Sequence, residues 1–403
     1  MYDVYEIRKD FPELLLPVNG KPNTFLDTAA SAQKPQKVLD RMMNFYRTGY
    51  SNIHRGAYYL SEQATVAYEK ARETVAAFIN AESREVVFTR SATEGINLVA
   101  ASWGLNNLKA GDEILLSEAE HHANLVPWQM VRDQTGCSLR FFKLNDDGSY
   151  NPDHFYDALT SQTRLVAVAG MSNVLGTVFP VKQIATAAHR CGALCLVDAC
   201  QSVVHQSVDV KDIDCDFLVF SGHKTYGPTG IGVLYGKYEL LAAMPPYQTG
   251  GDMVKKVTLE HTDFAEPPAR FEAGTPAIAE AVGLGEALNY MKNLGLDNIA
   301  AHEKELLKYA QMRLDEIPEL KIVGTAPEKG AVIAFALGDI HPQDVAFVLD
   351  KEGVSIRTGH HCAEPIVTRM GYTSLARASF GLYTTHEDID RFVAALNKAK
   401  SFF

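Results

Sequence analysis

The chain has few cysteines, little excess positive charge and no long hydrophobic run. Its 403 residues include only six cysteines, and residues 1–17 lack the apolar core of a signal peptide. We therefore expect reduced thiols and a soluble, cytoplasmic protein. No segment approaches the roughly 18 consecutive apolar residues that a membrane span needs. The formal net charge of −11 argues against nucleic-acid binding over the molecule as a whole.

Short apolar segments alternate with helical patterns through the first part of the chain. Such an alternation predicts an α/β fold with a mainly parallel sheet, which binds ligands beyond the C-terminal ends of its strands. The predicted strands are 86–89, 113–117, 138–142, 165–170, 193–198, 216–220 and 232–235. The predicted helices include 61–80, 93–103 and 181–191.

The pattern changes after residues 273–276. Two long helical stretches, 277–294 and 296–317, precede a mixture of short strands and helices. The later predictions are strands 320–323, 331–337 and 354–357 and helices 342–352 and 387–401. We interpret residues 18–290 as a large domain, and residues 291–403 together with 1–17 as a smaller α+β domain.

A lysine and an aspartate follow neighbouring predicted strands. Asp198 ends the strand 193–198, and Lys224 comes just after the strand 216–220, within the segment Ser-Gly-His-Lys. Most lysines and aspartates are solvated surface residues. An acid and a lysine at adjacent strand ends are nevertheless what pyridoxal phosphate (PLP) requires. The lysine forms a Schiff base, and the acid keeps the pyridine nitrogen protonated.

Four further segments carry chemically useful groups. Thr93 opens a helix after a strand, which is a common phosphate site. His121 and His122 follow the strand 113–117, but no set of ligands at metal spacing accompanies them, so we predict no metal site. Cys362 lies beside two histidines and near Arg357, where a thiolate is favoured. Arg377 suits bidentate recognition of a carboxylate.

Taken together, these segments resemble the group II, Suf-type cysteine desulfurases and their selenocysteine lyase relatives. Both are fold-type I PLP enzymes with a large and a smaller domain. The motifs are Ser221 to Lys224, Asp198 with Gln201, Glu120 to Asn124, Thr93 to Gly95, and Arg357 to Cys362. The resemblance extends from residues 26–30 through 54–56 to 377–379, and the cysteine-bearing motif is its specific part.

The resemblance implies a PLP-dependent homodimer that converts L-cysteine to L-alanine. It implies that Cys362 takes the sulfur as a persulfide and passes it to a Suf-type acceptor protein for iron–sulfur cluster assembly. By the same resemblance, Lys224 carries PLP, Asp198 pairs with the ring nitrogen and Gln201 bonds the ring hydroxyl. His121 stacks on the ring and assists proton transfer.

The remaining implied roles concern the cofactor phosphate and the substrate. The phosphate would be held by Thr93, Ser221 and His223, with Thr275 reaching in from the second subunit. Asn173 and Arg377 would hold the substrate carboxylate, and the pocket would also be lined by His54, Arg55 and Arg357. Cys200, where the family pattern has a small alanine, is assigned no role.

Other activities stay open on the sequence alone. A selenocysteine lyase would release selenium without needing Cys362. An aminotransferase would need 2-oxo acids and be indifferent to Cys362. A PLP-fold binding protein without turnover is disfavoured by the presence of Lys224, Asp198, His121 and Cys362.

Overall fold

Apolar segments form most of the strands, and amphipathic segments form most of the helices around them. The computed structural model describes residues 2–403. The strands are β1 (Thr24–Phe25), β2 (Val86–Thr89), β3 (Glu113–Ser117), β4 (Ser138–Phe142), β5 (Thr163–Ala169), β6 (Leu194–Asp198), β7 (Phe217–Ser221), β8 (Gly232–Gly236), β9 (Val254–Val257), β10 (Thr262–Phe264), β11 (Leu320–Val323), β12 (Val332–Leu337), β13 (Val354–Ser355), β14 (Arg357–Gly359) and β15 (Leu375–Ser379).

The α-helices range in length from 3 to 20 residues. They are α1 (Val4–Arg8), α2 (Gln36–Asn44), α3 (Tyr59–Phe78), α4 (Ala92–Val99), α5 (Leu105–Asn107), α6 (Val126–Thr135), α7 (Pro152–Ala158), α8 (Val181–Arg190), α9 (Ser202–His205), α10 (Val210–Ile213), α11 (Tyr238–Ala243), α12 (Ile278–Leu294), α13 (Leu296–Leu314), α14 (Pro342–Lys351), α15 (Glu364–Arg369) and α16 (His386–Phe402). Within residues 2–403, none of them combines the length and apolarity needed to cross a bilayer.

The larger sheet has the strand order β2-β8-β7-β6-β5-β3-β4. Strands β4, β3, β5, β6 and β7 run parallel, whereas β8 is antiparallel to both β7 and β2. This topology confirms the predicted mainly parallel sheet. Because the parallel strands end at one edge, their last residues converge there.

The smaller sheet is antiparallel, with the order β11-β12-β15-β14. Helices α13, α14 and α16 pack on it around a core that includes Leu306, Phe335 and Phe392. The N-terminal segment joins this region, because the Arg8 guanidinium lies 2.9 Å from a carboxylate oxygen of Asp388. That contact agrees with grouping residues 1–17 with 291–403, although the exact domain limits stay a prediction.

Two parts of the smaller sheet differ from the sequence prediction. The single predicted strand 354–357 is split, because β13 pairs with β1 while β14 pairs with β15. Strand β15 was not predicted, and it is buried along its whole length. Its Leu-Ala-Arg-Ala-Ser sequence has one large apolar residue and a central arginine, and so lacks the continuous apolar run that signals a buried strand.

Candidate active site

A cavity of about 260 Å³ lies at the C-terminal edge of the parallel strands. Ala169, Asp198 and Ser221, the last residues of β5, β6 and β7, line one side of it. The turn after β14 closes the other side. Of the sequence-predicted site residues, the cavity brings together Thr93, His121, Asn173, Asp198, Gln201, Ser221, His223, Lys224, Arg357, Cys362 and Arg377.

The predicted acid and lysine both face this cavity. Asp198 is only 6% exposed, and its Oδ1 accepts a 3.0 Å hydrogen bond from the backbone N–H of Cys200. Lys224 ends the short 3₁₀ turn that follows β7. The Gln201 amide donates to the carbonyl of Ala29 at 2.8 Å, whereas its buried Oε1 has no protein partner in residues 2–403. Buried polar atoms without partners are rare, so this oxygen marks a place for a ligand.

The N-terminus of α4 borders the cavity and has a spare donor. The hydroxyl oxygens of Ser221 and Ser91 accept from the backbone N–H groups of Ala92 and Glu94, at 2.9 and 3.3 Å. The N–H of Thr93 has no protein partner within the described chain. A Cβ at Gly232 would lie 2.5 Å from the Ser91 backbone, so only glycine allows β8 to approach this closely. The free N–H and the Thr93 hydroxyl suit an anion.

Both histidines nearest to the lysine are electrically neutral near pH 7. Burial, assisted by the charge of Lys224, lowers the pKa of His121 to about 4. Burial likewise lowers the pKa of His223 to about 4. The Nδ1 atom of His121 accepts from the N–H of Ala123 at 3.0 Å, so the proton of the neutral ring is on Nε2.

The two arginines that line the cavity share one carboxylate. Arg377 is 2% exposed and donates to the carbonyl of Asn173 at 2.8 Å and to Asp27 at 3.1 Å. Arg357 lies 3.0 Å from the other oxygen of Asp27. The pKa of Arg377 is lowered by burial. Two guanidinium groups against one carboxylate leave a net positive charge, and the buried Nε of Arg377 has no protein partner in residues 2–403. This arrangement suits a carboxylate ligand.

The cysteine-bearing turn has unusual backbone geometry. Gly359 has φ +116°, and the next two left-handed residues, His361 and Cys362, have φ +53° and +56°. For a residue other than glycine, such a conformation costs about 1–3 kcal/mol and persists only where surrounding contacts hold it. Cys362 is exposed and is the only one of the chain's cysteines in that class. The backbone therefore presents this thiol at the mouth of the cavity.

Three sequence-predicted residues lie outside the cavity of this chain. His54 is in a left-handed turn, where its ring lies 3.1 Å from the carboxylate of Glu69. Arg55 lies 3.2 Å from Asp252. Thr275 lines a separate cleft. The expectation that His54 and Arg55 line the cavity is thus not met within one chain, while Thr275 was assigned to a second subunit.

Two residues that sequence reasoning left without a role support the site from behind. Asp27 bridges the arginines, as described above. Glu120 is buried and accepts hydrogen bonds from the Ser117 hydroxyl, from the Asn124 amide at 2.7 Å and from the Ala169 N–H at 3.1 Å. It therefore ties the segment before His121 to the end of β5. The only signal in the sequence was an acid directly before the two histidines.

Glu120 predicts a specific dependence of stability on pH. Burial raises its pKa from 4.5 to about 7, so between these values the folded chain keeps a proton that the unfolded chain has lost. The contribution of Glu120 to the free energy of unfolding is therefore largest below about pH 4.5, and it declines as the pH rises toward 7. Glu120→Gln does not titrate. On acidification from pH 7 to 5, we expect wild type to gain on the order of 2 kcal/mol relative to this variant.

Urea denaturation of both holoenzymes at several pH values measures this effect. The glutamine amide faces the Asn124 amide, so the variant starts from a lower stability, by about 1–3 kcal/mol. The comparison therefore uses the pH slope and not the absolute midpoint. Parallel slopes for wild type and variant would contradict the raised pKa.

Comparison with known proteins identifies the family. The aminotransferase class-V family profile matches residues 24–392. This chain belongs to that family. It is 51% identical over 399 residues to a cysteine desulfurase of Dickeya dadantii, with 98% of this chain and 97% of the relative covered. It is 49% identical to a cysteine desulfurase of Synechococcus elongatus, of whose length it spans 64%.

A solved structure agrees with the sequence relatives. The crystal structure of the cysteine desulfurase CsdA from Escherichia coli, in an S-sulfonic acid form, has a TM-score of 0.93 to this chain. The two are 37% identical, and the match covers 100% of each. The predicted fold-type I architecture and the family resemblance are confirmed.

The cavity fits PLP, the cofactor of cysteine desulfurases. It offers an amine at Lys224 and a buried carboxylate at Asp198. It also has the unpartnered Oε1 of Gln201 and an anion site at Thr93. Among residues 2–403, by contrast, no three His, Cys, Asp or Glu side chains are arranged to share a metal ion.

Proposed function

We propose that this protein is a PLP-dependent cysteine desulfurase, which converts L-cysteine to L-alanine and holds the sulfur as a persulfide on Cys362. One observation carries the proposal: an exposed cysteine lines the same cavity as Lys224 and Asp198. Cys200 also lines that cavity, but burial raises its thiol pKa to about 12, so it stays a thiol. Thiolates, and not thiols, are nucleophiles, which favours Cys362 as the sulfur acceptor.

Several cavity residues are suited to hold the cofactor. When bound, PLP withdraws electrons from the substrate and so permits cleavage of its carbon–sulfur bond. Lys224 would hold the cofactor covalently. The carboxylate of Asp198 would stabilise a proton on the ring nitrogen, and Thr93, Ser221 and His223 would bind the phosphate. The neutral ring of His121 offers a flat face for stacking and an Nε2–H donor for proton transfer.

The substrate is oriented by its carboxylate. The terminal nitrogens of Arg377 are anchored on Asn173 and Asp27, and its Nε is a donor without a protein partner within residues 2–403. Because Arg377 is held from both sides, little side-chain entropy is lost on binding. Asn173 and Arg357 border the same region and complete the carboxylate site.

The sulfur transfer balances without an external oxidant. A bond forms between the Cys362 Sγ and the substrate sulfur as the substrate's Cβ–S bond breaks. The electron pair of that bond stays with the carbon, which takes a proton and leaves as alanine. The former thiol is then a persulfide, so one cysteine and one protein thiol give one alanine and one persulfide.

We further propose a homodimer. Leu39, Met43, Tyr46, Tyr50 and Tyr59 are 40 to 71% exposed and lie in or near α2 and α3. A cluster of large exposed apolar side chains is typical of an interaction surface. The partner of this surface is then a second copy, which would also bring Thr275 to the cavity. Sedimentation at the mass of one 44.3 kDa chain would contradict the dimer.

The exposed persulfide needs an acceptor and a reducing environment. We propose a Suf-type sulfur-acceptor protein of iron–sulfur cluster assembly as the recipient, and the cytoplasm as the compartment. All six cysteines are free, as a reducing compartment requires. Transfer of radiolabelled sulfur from the loaded enzyme to a purified acceptor of this type tests the proposal, and sulfur retained on the enzyme would contradict it.

The function itself is tested with the wild-type holoenzyme and L-cysteine. We expect alanine at each turnover when a reductant is present, and a single equivalent of persulfide when it is absent. L-selenocysteine and a 2-oxo acid acceptor are assayed in parallel. Turnover of L-selenocysteine alone would replace the proposal with a selenocysteine lyase, and transfer of the amino group of L-cysteine to the 2-oxo acid would replace it with an aminotransferase.

A further inference from the structure

The turn that carries Cys362 belongs to the smaller sheet, but it is held by residues of the larger one. Asn173 donates from its side-chain amide to the carbonyl of His361 at 2.7 Å. On the opposite side of the cysteine, His122 makes two hydrogen bonds to the turn. These contacts cross between the two halves of the cavity, so they fix where the thiol lies.

The two hydrogen bonds of His122 are made to Cys362 itself and to Glu364, two residues further along the chain. Its backbone N–H donates to the carbonyl of Cys362 at 2.7 Å. Its side-chain Nε2 accepts from the backbone N–H of Glu364 at 3.2 Å. Glu364 begins α15, so its N–H has no partner within the helix. The imidazole therefore serves as a cap for a helix on the other half of the cavity.

The backbone of the turn needs such support. His361 and Cys362 both have positive φ, which costs about 1–3 kcal/mol per residue. Without outside bonds, the turn would relax toward ordinary backbone angles, and the thiol would change direction. A misplacement of about 1 Å can reduce a rate by about 10²-fold.

We propose that the His122 side chain is a positioning residue that holds Cys362 in line with the cavity. His121 faces the cofactor region, and the adjacent His122 faces the turn, with ring centroids 6.4 Å apart. The dipeptide thus connects the geometry of the cofactor site to that of the thiol. The effect on rate rests on the proposed desulfurase function, whereas the effect on the turn does not.

The test compares two substitutions of His122 and one control. His122→Gln keeps an acceptor at the end of a side chain of similar reach, and His122→Leu removes it. His360→Leu is the matched control, because His360 lies in the same turn and its side chain makes no hydrogen bond within residues 2–403. PLP absorbance of each holoenzyme reports folding and an intact cofactor site.

The first readout is hydrogen–deuterium exchange of the peptide covering residues 359–366, measured without substrate. We expect the N–H of Glu364 to exchange at least about 10-fold faster in His122→Leu, because its acceptor is gone. Exchange in His122→Gln and His360→Leu is expected to stay close to wild type. Unchanged exchange in His122→Leu would overturn the proposed cap, whatever reaction the enzyme catalyses.

The second readout separates kcat from KM for L-cysteine. We expect kcat to fall about 10- to 100-fold in His122→Leu with KM unchanged, because Arg377 is untouched, and to recover in His122→Gln. Faster exchange with normal kcat in His122→Leu would support the hydrogen bond between His122 and Glu364 but overturn the positioning role of His122. Should His122→Leu fail to retain PLP, His122→Asn replaces it, because its shorter side chain does not reach Glu364.

Discussion

Replacing Cys362 with alanine is expected to abolish alanine formation from L-cysteine, with a loss of about 10²-fold or more. The variant lacks the only exposed cysteine of the chain, so no accessible thiol remains at the cavity to accept the sulfur. Cofactor absorbance is expected to be normal, because the substitution removes no group assigned to hold the cofactor. Alanine release and persulfide are measured side by side for wild type and variant.

Cys200→Ala is the matched control for this experiment. Cys200 lines the same cavity, but it is only 8% exposed and its pKa is raised to about 12 by burial. We expect this variant to keep both alanine and persulfide formation. Full activity in Cys362→Ala, or its loss in Cys200→Ala, would show that the acceptor has been assigned to the wrong cysteine.

The Cys362→Ala variant also distinguishes cysteine chemistry from selenocysteine chemistry. A lyase that releases selenium directly does not need a protein thiol. Cys362→Ala is therefore expected to keep most of its activity on L-selenocysteine, if that substrate is accepted at all. Equal losses on both substrates would point instead to a role for Cys362 in shaping the cavity.

The framework of the site was predictable because it depends on local sequence. The buried strands that carry Asp198 and Ser221 are continuous apolar runs, and β3 has the predicted bounds of 113–117. Parallel strands end at one edge, so residues placed just after them are expected to meet. The cavity does bring together Asp198, His121 and Lys224.

The supporting contacts were not predictable because they join distant parts of the chain. Asp27 and Arg377 are separated by 350 positions, and His122 and Glu364 by 242. No local pattern marks such pairs. Strand β15 was missed for a related reason: its central Arg377 is buried to bind Asp27 and Asn173, and a charged residue does not signal a buried strand.

Substitution of Lys224 by methionine is expected to remove covalently bound cofactor completely and, with it, desulfurase activity. The prediction is sharp because a second lysine lies nearby. Lys34 donates to the backbone carbonyl of His223 at 2.9 Å, and burial lowers its pKa to about 8. A lowered pKa leaves part of the Lys34 amine unprotonated near neutral pH, and the unprotonated amine is the nucleophile.

Position decides between the two lysines. Lys224 lines the cavity with Asp198, whereas Lys34 does not, and the Lys34 ammonium is also bonded to the carbonyl of Ala32. Reduction of the holoenzyme with borohydride, followed by peptide mapping, is expected to place the cofactor on Lys224 in wild type and in Lys34→Met alike. In Lys224→Met we expect no labelled peptide and a loss of the PLP absorbance band of the wild type. A label on Lys34 in wild type or in Lys224→Met would mean that amine basicity outweighs position, and the assignment of the cavity would then have to change.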